Sequence, residues 1–298
     1  MGHKPSHKIL VSLDQSEPSM EAVRYVAGIP AFRDHQVVLL HIFTEVASEY
    51  WDLGTHAGYG KRVSDVKLWE LQAKREAEEF MAVAREKLIH AGIPGSAIKS
   101  LIQKRGKGIA EDVIRKATQG FKAVALGRKS MSTLRNIVMG SVAAKLVERL
   151  TEVSIFLVGK AVNTKRFLIA FDGSKNAMRI VDYAGATLGR ESKVTLLHVV
   201  RGSNPAHVEA AEAFIQPLFA EAREKLIKYG MPADHVSVKL ITDVSSRAGA
   251  IVSEAGALRC GTILVGRRGL SKVQEFFMGS VSNKVVQLAQ NLTVGIIN

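Results

Sequence analysis

Thr262-Ile-Leu-Val-Gly-Arg-Arg-Gly269, then nine residues, then Gly279-Ser280-Val281, is the stretch whose reading decides the fold. A short apolar, β-branched run reads as a strand, and the segment after Ser280 returns to helical spacing. Between them, Gly266 lets the chain turn sharply without a Cβ in the way. Gly269 keeps the loop amides exposed as an anion-binding concavity. Gly279-Ser280 opens a helix whose unpaired N–H groups and positive dipole end suit a phosphate, with Ser280 placed to cap that helix or to bond the anion. Neither GxxxxGK[ST] nor a strand-borne GxGxxG is present, which argues against kinase-like and NAD-binding readings.

The same spacing occurs earlier as Gly127-Arg-Lys-Ser130, nine residues, Gly140-Ser141, with serine in place of one glycine. The correspondence extends over the chain. AREKLI at Ala84–Ile89 returns at Ala222–Ile227, MGSV at Met139–Val142 returns at Met278–Val281, and Gly92-Ile-Pro94 is answered by Gly230-Met-Pro232. Near each start an apolar run ends in aspartate, at Asp14 and Asp172, and each is followed by Leu-Leu-His, at His41 and His198. Solenoid repeats have periods of roughly 20–50 residues; here the period is about 140–158. The chain is therefore two whole domains, 1–160 and 161–298, with the boundary in Gly159–Thr164.

Composition agrees. At 298 residues, 47% apolar and 23% charged, each half is large enough to bury its own core. No apolar stretch approaches the ~18 residues of a membrane span, and the start lacks the apolar core of a signal peptide. Gly2 with Ser6 meets only a loose myristoylation pattern and is discounted. The single cysteine, Cys260, excludes an intrachain disulfide, fits a reducing cytoplasm and reads as a buried, inert thiol. The net charge of +13 is spread over both halves, 24 basic and 17 acidic residues in 1–160, 17 and 11 in 161–298. No zinc finger, aromatic RNA motif or basic zipper accompanies it, so it points to small anionic ligands and not to a nucleic-acid reader.

The second half alternates strand and helix. Phe167–Phe171, Val194–Val200, His235–Thr242, Thr262–Val265 and Thr293–Ile297 read as strands. Helical spacing lies between them, from Ser174 as a cap and from about Glu209 to Tyr229, Ala248 to Ala257 and Val281 to Ala289. The first half has the same order. This predicts an α/β fold: two tandem open parallel five-stranded sheets with helices on both faces, Rossmann-like, with right-handed crossovers. On such sheets ligands bind outside the carboxyl ends of the strands, where Asp14, Gly127, Asp172 and Gly266 all sit. Ser154–Val158 and Thr293–Ile297 each close a sheet and leave an open edge, so pairing them within the chain satisfies both.

The Asp-ended strand, the Leu-Leu-His strand and GxxGx9G[ST] before a final helix and strand resemble the universal stress proteins over essentially the whole chain, as a tandem pair. The glycine motif is similar to that of the family's ATP-binding branch. The resemblance implies an adenine nucleotide, ATP or AMP/ADP, with Mg2+ carried through the phosphates, and dimerisation through the last strands. It implies that Ala170, Phe171 and Asp172 flank the adenosine and that Val199 lends its backbone to adenine. Val265, Gly266, Arg267 and Gly269 would line the nucleotide, and Gly279, Ser280 and Val281 would hold phosphates. The matching positions in the first repeat are Ser12, Leu13, Asp14, Ile42, Leu126, Gly127, Arg128, Ser130, Gly140, Ser141 and Val142. Ser130 is the departure from the pattern.

Other residues carry plainer readings. His41 and His198, inside apolar strands, read as structural histidines. Lys145 and Lys284, four residues after each motif serine, fit either phosphate attraction or a helix surface. Residues 44–71 contain an insertion of some nineteen residues with Trp51 and Trp69; Trp69 is expected to begin a long helix and pack on the domain. Three function classes follow. The favoured one is a nucleotide-holding stress-response or regulatory protein in the cytoplasm, with at most slow ATP hydrolysis. The alternatives are an ATP-utilising enzyme of the adenine-nucleotide α/β group and a structural pseudo-dimer that binds nothing. Further homo-oligomerisation stays open, and neither a membrane nor a specific nucleic acid is expected as partner.

Overall fold

The computed structural model describes residues 7–45, 60–128, 139–160, 163–267 and 278–298 of the chain. The first repeat runs β1 (Lys8–Leu13), α1 (Glu17–Gly28), β2 (Gln36–Phe43), α2 (Gly60–His90), β3 (Ile98–Lys104), α3 (Ile109–Ala117), β4 (Ala123–Gly127), α4 (Ser141–Arg149) and β5 (Ser154–Val158). The second runs β6 (Arg166–Ala170), α5 (Lys175–Thr187), β7 (Lys193–Arg201), α6 (Pro205–Lys228), β8 (Val236–Val244), α7 (Arg247–Ala257), β9 (Thr262–Gly266), α8 (Ser280–Leu288) and β10 (Thr293–Ile297). The helix expected from about Glu209 starts earlier, because Asn204 caps it and Pro205 opens it.

The ten strands form one sheet in the order β3-β2-β1-β4-β5-β10-β9-β6-β7-β8. Within each repeat all described pairings are parallel; β5 and β10 pair antiparallel, with Ile155, Phe156 and Leu157 opposite Ile296, Gly295 and Val294. Each closing strand thus fills the edge that the other leaves open. Two apolar layers cover the faces, and each runs through both repeats. One joins α1, α2, α5 and α6 over Ile9, Val11, Phe167 and Ile169. The other joins α3, α4, α7 and α8 over Leu10, Val124, Ile263 and Val294. The central strands are apolar apart from the buried Ser154, Thr262 and Thr293 at their starts, because both faces are covered.

The seam is tightly packed. Phe156 is fully buried and lies opposite Gly295. A Cβ at Gly295 would stand 2.9 Å from the Phe156 ring and 2.6 Å from Leu264. Tyr25 and Tyr183 flank the ring with centroids 5.8 and 6.3 Å away. Tyr25 of the first repeat shares a 3.0 Å hydroxyl hydrogen bond with Thr262 of the second.

Trp69 departs from expectation. The helix begins at Gly60, so Trp69 lies well inside α2, and it is 59% exposed beside exposed Leu68 and Leu71. It covers no core. Trp51 lies outside the described residues.

Truncating the seam ring should be costly. Phe156→Ala is expected to lose ~3–5 kcal/mol, and Gly295→Val ~1–3 kcal/mol through overpacking; both are read by urea denaturation of the full chain.

Candidate functional site

In the second repeat a cavity of about 420 Å3 opens at the carboxyl ends of the strands, between β6 and β9, where the winding of the sheet reverses. Ala170, Phe171 and Asp172 reach it from β6, His198 and Val199 from β7, and Val265 and Gly266 from β9. Gly279, Ser280 and Val281 reach it from the start of α8. The sequence-predicted residues of this repeat are therefore brought together, with two exceptions: Arg267, treated below, and Gly269, which lies outside the described residues.

Strand lengths expose the backbone of Val199. β6 ends early; the Phe171 N–H donates to the Leu197 carbonyl at 2.8 Å as its last bond to β7. Two residues further along β7, the peptide groups of Val199 point the same way, past the end of β6. The Val199 carbonyl accepts from Arg247 Nε at 3.3 Å. Arg247 lines the cavity, and no motif in the sequence singled it out; its counterpart in the first repeat is Ile109.

Both aspartates serve as turn residues, and Asp172 also lines the cavity. Asp172 Oδ1 accepts the Ser174 N–H at 3.0 Å, and Ser174 Oγ in turn caps α5 by accepting the Ala177 N–H at 3.1 Å. Asp14 Oδ1 accepts the Ser16 N–H at 3.2 Å and also the Ser16 hydroxyl. Between each pair the backbone is left-handed, at Gly173 with φ 76° and at Gln15 with φ 63°. Glycine suits that conformation and glutamine is strained in it.

The start of α8 leaves first-turn amides without a side-chain cap, an arrangement that suits an anion. Gly279 is the N-cap, with φ −60°, and no side chain caps the helix. Ser280 is the first helical residue, so the expectation that it caps α8 is corrected: its hydroxyl lies on the wrong side of the N-cap position to reach the first-turn amides. The Ser282 hydroxyl instead donates to the Gly266 carbonyl at 2.7 Å, tying α8 to the end of β9. Three further lining residues come from α6, where His207, Ala211 and Phe214 form one wall at helical spacing. Phe214 is 52% exposed. Its apolar character was visible in the sequence, but which side of a helix meets a neighbouring sheet was not.

The two histidines are structural. His41 Nδ1–H donates to the Leu13 carbonyl at 2.9 Å and His198 Nδ1–H to the Phe171 carbonyl at 2.8 Å. Burial holds His198 below the ordinary histidine range, so it is neutral near pH 7. Burial likewise pushes the Cys260 thiol up to about 11, an inert form. Lys145 and Lys284 are exposed on helix surfaces. Among the described residues no cluster of three or more His, Cys, Asp or Glu is placed to hold a metal ion.

The arginines expected along the nucleotide go elsewhere. Arg267 is not among the cavity-lining residues. Its guanidinium donates to the carbonyls of Val147 and of Leu150, the latter at 2.6 Å, and to Asn298 Oδ1 at 2.7 Å. Arg128 Nη1 donates to the carbonyls of Val286 at 2.8 Å and Ala289 at 3.0 Å. Each reaches over the seam to the last turn of the other repeat's final helix. Alternation sets the side: each arginine lies two residues beyond Leu126 or Val265, whose side chains belong to the apolar layer of α4 and α8, so both arginines emerge on the face of those helices.

In the first repeat, strand register sets Ser12 beside Leu126 and Leu13 beside His41. Ile42 is the last residue but one of β2, Gly127 ends β4, and Gly140, also without a side-chain cap, precedes Ser141 and Val142 at the start of α4. Gly127 has a packing role: a Cβ there would lie 2.0 Å from the Pro18 carbonyl oxygen, so only glycine admits the first turn of α1. Ser130 lies outside the described residues.

The model of the universal stress protein family matches residues 5–152 and 163–291. The chain belongs to the universal stress protein family. A curated relative, universal stress protein YxiE of Bacillus subtilis (strain 168), is 29% identical over 143 residues, 42% of this chain and 93% of that protein. Among solved structures, a universal stress protein from Archaeoglobus fulgidus DSM 4304 superposes with a TM-score of 0.66 at 18% identity, covering 98% of each chain. A putative universal stress protein from Pseudomonas aeruginosa UCBPP-PA14 gives 0.55 at 11% identity, over 98% of this chain and 92% of that one. These two likenesses show the tandem fold. No described helix is long and apolar enough to cross a membrane.

Gly173→Ala tests the turn beside the cavity. A Cβ there meets Leu218 at 2.6 Å and must sit in left-handed backbone. Stability should fall by ~1–2 kcal/mol from the backbone term alone, measured by urea denaturation.

Proposed function

We propose that this universal stress protein holds an adenine nucleotide, ATP or its AMP and ADP relatives, in the second repeat as a regulatory ligand. One observation carries the reading: the uncapped start of α8 and the glycine end of β9 meet at one side of an apolar cavity, with the Asp172 carboxylate at its rim. Helix-start amides and the dipole suit phosphates. The Ala177, Ile180, Leu197 and Ile251 walls suit a flat base, and a carboxylate accepts ribose hydroxyls. The cavity volume is in the usual range for small-molecule sites, about 300–1,000 Å3. A Mg2+ ion would arrive with the phosphates. A reducing cytoplasm suits the lone buried thiol of Cys260.

The second repeat should bind more tightly than the first. Gln15 replaces Gly173 at the left-handed turn, Ile109 replaces Arg247 at the rim, and Ser130 replaces Gly269 in the loop. Hydrolysis should be slow, because His198 is committed to a backbone carbonyl and the glycine loop supplies electrostatic grip without a general base.

Nucleotide extracted from freshly purified protein should be identified by mass as an adenine nucleotide. Calorimetry with ATP should show one dominant site, lost in Gly279→Asp and nearly unchanged in Gly140→Asp. Aspartate is a good N-cap, so loss of binding in the first variant reports charge repulsion and not unfolding. Two equal sites, or turnover near the common enzyme range of ~1–10³ per second, would overturn the reading.

A further inference from the structure

The loop arginines form a reciprocal pair. Arg128 follows the glycine that ends β4 and binds the carbonyls of Val286 and Ala289, in the last turn and C-cap of α8. Arg267 follows the glycine that ends β9 and binds those of Val147 and Leu150, in the last turn and C-cap of α4. All three pairs of positions differ by the same 139 residues, so the contact is repeated with the duplication. The chemistry is apt, since the last helical carbonyls lack intrahelical partners and the helix C-terminus carries negative dipole charge.

The two contacts are not equally supported. Arg267 Nε also donates to Asn298 Oδ1, and Asn298 Nδ2 donates to the Val153 carbonyl at 2.6 Å. The position matching Asn298 in the first repeat is Gly159, where a Cβ would lie 2.8 Å from the Asn291 backbone. A side chain cannot be placed there, and Arg128 Nε and Nη2 have no partner among the described residues. Arg128 is 8% exposed. Its described side-chain hydrogen bonds all go to α8.

α8 is nine residues long and held at both ends. At its start, Ser282 is tied to the Gly266 carbonyl and the first residues line the cavity. At its end it is held by Arg128, from the other repeat. We propose that Arg128 is a positioning residue for the nucleotide site of the second repeat: it acts across the seam by docking the helix whose start meets the phosphates. This inference rests on the proposed nucleotide reading of that cavity. Without the clamp, α8 is docked in only a fraction of molecules, and the apparent affinity falls by that fraction. A docked fraction of about a third to a tenth weakens binding three- to tenfold.

The test compares the full chain with Arg128→Met and Arg128→Lys. ATP affinity is read by calorimetry, adenosine binding by ligand-observed NMR, and amide hydrogen exchange in residues 280–289 by mass spectrometry. Arg128→Met should weaken ATP about three- to tenfold and leave adenosine unchanged, because α8 meets only the phosphates. Exchange in α8 should quicken while that in β6 and β7 stays as in the parent. Arg128→Lys keeps one charged donor and should restore most of the ATP affinity; if the methionine variant does not fold, exchange in residues 280–289 of the lysine variant should still exceed that of the parent, and unchanged exchange there overturns the inference. ATP affinities within twofold of the parent in both variants would overturn the inference, as would equal losses for ATP and adenosine. A parent that binds no nucleotide overturns the functional reading itself, whereas a parent that binds ATP with unchanged variants overturns only the role of Arg128.

Discussion

Everything in this molecule depends on the antiparallel pairing of β5 with β10. Either closing strand alone would leave a row of unpaired backbone groups at the edge of a five-stranded sheet. Paired, they make one ten-stranded sheet whose two apolar layers pass unbroken through both repeats. The seam also fixes where the final helices lie, because α4 and α8 flank these strands and each is held at its end by an arginine of the opposite repeat. Strand pairing, core and candidate site are therefore one construction.

The carboxyl edge of the second repeat shows how a site arises from unequal strand lengths. β6 stops while β7 continues, so the Val199 peptide groups pass the end of β6, where its carbonyl accepts from the Arg247 side chain in place of a strand partner. β9 stops at a glycine, and α8 starts with its amides uncapped. Neither feature needs a reactive side chain. Grip by backbone dipoles is what such an edge can offer, and the proposed holding of a nucleotide rests on it.

Much of this was legible in the sequence, because duplication doubles each signal. The order of elements, the Asp-ended strands and the closing-strand pairing were readable from apolar period and repeated motifs. Cys260 and the two histidines behave as their apolar surroundings implied. The losses have a common cause, in that sequence spacing gives position along the chain and not the direction of a side chain. Arg267 sits next to a cavity-lining glycine yet points over the seam. Ser280 stands one residue inside the helix that it was expected to cap. Trp69 follows helical spacing but faces away from the core. Arg247, His207 and Phe214 join the cavity through packing between distant elements, which no local pattern encodes.

Phe156 and Gly295 occupy matching positions in the two repeats and lie face to face at the pseudo-twofold axis. In a symmetric homodimer one residue type would have to meet its own copy there: with the ring lying as Phe156 does, over the space where a Cβ at Gly295 would stand, a second ring could not share that pose, and two glycines would leave a gap. A knob on one strand and a hole on the other is a heterodimer's solution, open only after the two copies became free to diverge. The duplication is thereby locked in. At this position each half is shaped for its sister, so cutting the chain in two would give each strand a partner of the wrong shape.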